Sequence, residues 1–144
     1  MHIARLLLAH IISALAAPLA AIGGVLLLGR AAGRLTRWRN ADGSPGWMVS
    51  MPLGGLGWQF SSAVARAAAA FGAMRLVFWI LALRPTVYAA AYAIFILTAW
   101  DVHRLRFMQR PPLEPPARAL SVMRFKIGAG LIASAAAATL FLRA

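Results

Sequence analysis

The sequence has no cysteine, three acidic residues (Asp42, Asp101 and Glu114) and one lysine, Lys126. Without cysteine there is no disulfide, thiolate metal site, iron–sulfur cluster or cysteine nucleophile. With so few carboxylates, paired-carboxylate catalysis has no support, and neither has a proton relay built on membrane acids. Charged residues make up 12% of the 144, where soluble domains average about 25%. Hydrophobic residues make up 62%, against a soluble average of about 45–50%. A soluble domain of this length could not hide so much apolar surface, and disorder needs low hydrophobicity. An integral membrane protein is the class that remains.

What charge there is has one sign. Fifteen Lys and Arg give a net charge of +12. In a membrane protein this balance reads as cytoplasmic loops lying on anionic lipid. Nucleic acid is not the expected partner. The 14 arginines against one lysine, with 32 alanines, fit a GC-rich bacterial genome. The expected location is therefore a bacterial inner membrane, crossed several times.

Residues 6–29 form a run of 24 without a formal charge. As a helix it extends about 36 Å, enough for a hydrocarbon core of ~30 Å. Arg5 followed by an apolar run resembles a signal peptide, but the run is too long for one. Pro18 and Gly23-Gly24 predict a kink. Ala16, Ala20 and Gly24 recur every four residues, a face that lets another helix backbone approach.

Further spans are expected at residues 67–83, 86–100 and 127–142. In the last, Gly130, Ser134 and Ala138 again place small residues four apart. Arg84-Pro85 suits a hairpin tip, because proline disfavours helix in the residue before it. The rival is one kinked span over residues 76–100. Two long connections are expected, at residues 30–58 and 101–126. The first carries Arg30, Arg34, Arg37 and Arg39. The second carries Arg104, Arg106, Arg110, Arg118, Arg124 and Lys126, around the stiff run Pro111-Pro112-Leu113-Glu114-Pro115-Pro116. Both are basic, so both should face the cytoplasm, with an even number of crossings between them. The expectation is an all-α, polytopic bundle of four transmembrane helices, with three possible, forming a single membrane domain. Both termini are then periplasmic.

Candidate chemistry is sparse. His10 and His103 fall at opposite ends of their spans and cannot clamp one haem. Ser61, Ser62 and Ser134 have no base nearby in sequence. The GGLGW stretch lacks the spacing and the lysine of a phosphate loop. Asp101 suits an interfacial anchor paired with Arg66, Arg104 or a lipid ammonium. No catalytic, cofactor or metal residue is assigned, and no enzymatic activity is expected.

Arg75 stands out, nine positions into the span at 67–83. A central Arg costs about 2.5–3.5 kcal/mol on insertion scales and does not readily lose its proton. Carbonyls freed near Pro18 could accept from it. The alternative is an acid, a lipid headgroup or an anionic cofactor from outside the chain. The candidate partner or lipid contacts are thus Arg75, Arg34, Arg37, Arg39, Arg104, Arg106 and Arg110. The functional expectation is a non-catalytic subunit of a larger inner-membrane complex, contacting other membrane subunits and anionic lipids. The alternatives are a small homo-oligomeric pore of the holin kind and a membrane enzyme acting on lipid.

Overall fold

In the computed structural model, described over residues 2–36, 56–108 and 117–143, the chain is all-helical. Four helices follow one another: α1 (His2–Thr36), α2 (Leu56–Ile80), α3 (Val87–Met108) and α4 (Ala117–Arg143). Three of them, within α1, α2 and α4, are long and apolar enough to cross a membrane; α3 offers a shorter apolar stretch, Val87–His103.

The helices outrun the hydrophobic segments that suggest them. α1 continues past residue 29 to Thr36, α2 begins at Leu56 and not at 67, α3 runs past residue 100, and α4 starts ahead of 127. Both connections are therefore shorter than residues 30–58 and 101–126. The reason is that loss of hydrophobicity does not stop a helix. Ala, Arg, Leu and Met are good helix formers wherever they lie, and termination needs a breaker. The prolines at 111–116 are the first breakers after Trp100. α1 also stays helical through Pro18 and Gly23-Gly24.

The α2–α3 junction ends with defined caps. The Leu83 amide donates to the Phe78 carbonyl at 2.8 Å and the Ala82 amide to Trp79 at 3.0 Å. This is a Schellman motif, and Ala82 takes the left-handed conformation it requires, with φ 52°. Leu83 packs onto the buried cluster that contains Phe78. Pro85 follows. Thr86 then caps α3: its Oγ1 accepts the Ala89 amide at 3.2 Å. The single kinked helix over residues 76–100 is excluded, and Arg84-Pro85 lies in a true reversal.

Packing fixes the directions. Gly24 lies against Ala65 and Ala69, and Gly29 against Trp58, so α1 and α2 are antiparallel. Arg66 reaches Gly130 while Arg75 reaches Phe141, so α2 and α4 run parallel. α3 packs along α4 and touches α1. Going round the bundle the order is α1, α2, α4, α3, with α1 and α4 on opposite corners. The C-terminal ends of α1 and α3 and the N-terminal ends of α2 and α4 lie together at one end, here called the basic end. The reversal at residues 81–86 lies at the other.

The core is built from small residues. Of seventeen buried hydrophobic positions among the described residues, eleven are alanine, including Ala17, Ala21, Ala67, Ala70 and Ala93. Large aliphatics point outward: Leu7, Ile11, Leu15, Leu19, Ile22 and Leu26 on α1 are all exposed. Such an arrangement suits lipid as solvent. Burying leucine gains little where the surroundings are equally apolar, and close backbone approach gains dispersion contacts. The larger core side chains, Phe71, Met74, Phe78 and Phe141, fill the end near the reversal.

Candidate functional site

Two polar clusters lie inside this apolar bundle. The more strongly charged joins three helices near the basic end. Arg66 on α2 donates from a terminal guanidinium nitrogen to Oδ2 of Asp101 on α3 at 2.6 Å. Lys126 on α4 places its Nζ 3.0 Å from Oδ1 of the same carboxylate. Asp101 is 2% exposed, while Arg66 and Lys126 are 13% and 15% exposed. Lys126 and Oδ1 thus form a second ion pair on the one carboxylate. The Arg66 Nε is buried without an acceptor.

The triad follows from the local sequence. Arg66 and Lys126 each stand at the start of a long apolar stretch of their helix, and Asp101 stands at the end of one. Parallel α2 and α4 bring the two cations to one level, and antiparallel α3 brings the carboxylate there. Of the partners expected for Asp101, Arg66 is present; its carboxylate is enclosed, and Lys126 is an addition. Lys126 belonged by sequence to a solvated loop. Its helical start at Ala117 carries it into the bundle. The available signal was that Asp101 is the one acid outside a turn or proline cluster. A shallow crevice beside the triad is lined by Ala63, Thr98, Ile127, Gly130 and Ser134 among others, and it has no interior room for a water-sized molecule.

The second cluster lies near the reversal. The His10 Nε2 is 3.3 Å from Thr86 Oγ1, and the Tyr92 hydroxyl donates to the His10 carbonyl at 3.3 Å. The His10 ring meets Phe78 and Tyr92 edge-on. These contacts tie α1 to α3. His103 is exposed at the basic end, far from His10.

The residues singled out by sequence separate. Arg75 donates to the Phe141 carbonyl at 3.4 Å, in the last turn of α4, where carbonyls lack helical partners. This places one acceptor for Arg75 on α4. Arg106 is exposed near the end of α3. Arg34 and Arg104 lie on α1 and α3, and their side chains are outside the described residues, as are Arg37, Arg39 and Arg110 altogether. The small residues face this chain's own helices: Gly24 meets α2 and Gly130 meets Arg66. Ser134 and Ala138 are buried, and Ala16 and Ala20 half-buried.

Chemically, the triad can hold three helices in register and present positive charge. No nucleophile–base pair is assembled there among the described residues. Comparison of the chain with protein-family models, curated proteins and solved structures finds no match.

Proposed function

We propose that the chain is a non-catalytic subunit of a larger assembly in a bacterial inner membrane, crossing four times and meeting acidic partners or anionic lipid with its basic end. The carrying observation is the distribution of charge over the bundle. In the sequence, eleven of the fifteen basic residues and all three acids fall in the two connections or in the helix halves that adjoin them. The other end has Arg5, Arg84 and Arg143, with Arg75 in the same half, and no acid. The positive-inside rule then puts the basic end in the cytoplasm.

The fourth crossing is α3. Because α2 and α4 run parallel, the chain has to return between them. The apolar part of α3 is 17 residues, about 25 Å. That is short for a ~30 Å core. Enclosing the Asp101 charge within the triad lowers the cost of drawing the end of α3 into the bilayer.

Purification in mild detergent followed by native mass measurement tests the assembly. The expected result is other polypeptides at fixed stoichiometry, released by raised salt. A ring of this chain alone would favour a homo-oligomeric pore, and a bare monomer would remove the subunit reading.

A further inference from the structure

The ion triad carries more positive charge than it cancels. Two cations face one carboxylate, which leaves a formal excess of one positive charge. Donors are also left over: the Lys126 ammonium carries three N–H bonds and meets one acceptor, Oδ1. Both cationic side chains are partly exposed while Asp101 is enclosed. Thr98 and Ser134 line the crevice beside Arg66. A partly exposed pair of cations with unspent donors and net charge calls for an oxyanion.

The depth of the site says where that oxyanion comes from. Lys126 and Arg143 stand 17 positions apart on α4, about 26 Å along the helix. With Arg143 at one headgroup boundary of a ~30 Å core, the Lys126 backbone lies about 4 Å short of the other, within the length of its side chain. The exposed aromatics mark the same two levels. Trp100, next to Asp101, is exposed at the basic end, and Trp79 and Tyr88 are exposed beside the reversal. The crevice has no interior room, so a ligand is met at its rim, at headgroup height.

The geometry points to a phospholipid site: the phosphodiester of an anionic lipid, in the leaflet at the basic end, seats on Arg66, which lines the crevice, and on Lys126, which shares its carboxylate. Asp101 holds the two cations in place from below. This site is distinct from the basic connections invoked above. It rests on α2 and α4 crossing the membrane and not on the assembly.

The test is native mass spectrometry of the purified full chain in mild detergent, titrated with phosphatidylglycerol. One saturable high-affinity lipid is expected, with phosphatidylcholine binding more weakly. Lys126→Gln should weaken the first binding step about fivefold, the worth of one cation near a lipid surface. Lys126→Arg should restore it, and Arg106→Gln, an exposed charge on α3, should leave it unchanged. Millimolar sodium phosphate should not displace the lipid. Equal binding by Lys126→Gln and the wild type overturns the site. Equal losses in Lys126→Gln and Arg106→Gln replace it with diffuse surface attraction. Displacement by phosphate makes it a free-anion site and overturns the lipid source. If Lys126→Gln elutes as aggregate on gel filtration, the lipid preference of the wild type decides in its place: phosphatidylglycerol bound no more tightly than phosphatidylcholine overturns the proposal.

Discussion

Arg66 and Asp101, 35 positions apart in the chain, meet at 2.6 Å inside an alanine-rich bundle, and Lys126 shares the same carboxylate. Removing the carboxylate leaves two enclosed cations facing each other. Asp101→Ala should therefore lower stability by about 3–5 kcal/mol. Lys126→Gln should cost less, because Asp101 keeps its shorter pair with Arg66. The triple replacement Arg66→Met, Asp101→Leu, Lys126→Met should recover much of the loss, since it removes the desolvation cost with the attraction. Denaturant unfolding in detergent measures all three. An Asp101→Ala protein as stable as wild type would show the triad to be solvated.

Two adjacent glycines should behave oppositely. A Cβ on Gly24 would lie 2.8 Å from the Ala65 carbonyl oxygen and 2.9 Å from the Ala69 Cβ, whereas a Cβ on Gly23 meets nothing within 4 Å. The Ala65 backbone cannot step aside cheaply. Gly24→Ala should destabilise by about 1–3 kcal/mol through overpacking. Gly23→Ala should be neutral or stabilising by up to about 1 kcal/mol, as alanine is the better helix former. Equal thermal shifts in the two variants would remove the close α1–α2 contact.

Ala82 occupies the left-handed position of the α2 cap, at φ 52°. That conformation costs an L-residue roughly 1–2 kcal/mol, and glycine adopts it freely. Ala82→Gly should raise stability by about 1 kcal/mol after its larger chain entropy is counted. A lower melting temperature would contradict the cap geometry.

The absence of cysteine allows single-cysteine labelling without background. Arg84→Cys lies at the reversal and Arg106→Cys at the basic end, both at exposed positions. In intact cells a membrane-impermeant maleimide should label the first and spare the second. Reporter fusions at Gly43 and Pro115 should both read cytoplasmic. Labelling of both cysteines from outside would refute four crossings.

Arg75 bonds to the Phe141 carbonyl on α4 at 3.4 Å, a long contact for a guanidinium. Arg75→Leu should insert and express as well as the wild type, because a central Arg costs about 2.5–3.5 kcal/mol on insertion. If this arginine also holds a partner of the proposed assembly, that partner should be lost on purification. Retention of every co-purifying species at wild-type levels would confine Arg75 to its role on α4.

The helical class, three of the spans and the reversal were legible in the sequence because each rests on local chemistry. Apolar runs of known length report what the solvent must be. Arg84-Pro85 reports a break, since a proline disfavours helix in the residue before it. Helix ends were less legible. The span beginning at residue 67 is the apolar part of a helix that starts at Leu56, since polarity changes there and helix propensity does not. Only the tertiary structure decided which charges are enclosed. Nothing local distinguishes Lys126 from Arg124 or Arg106. Lys126 enters the bundle because α4 begins at Ala117 and because parallel α2 and α4 bring it level with Arg66 opposite the one acid on α3. Likewise, Ala16, Ala20 and Gly24 announce close packing without naming the helix they meet. Spacing along one helix fixes a face, and the partner of that face depends on the order of the four helices round the bundle.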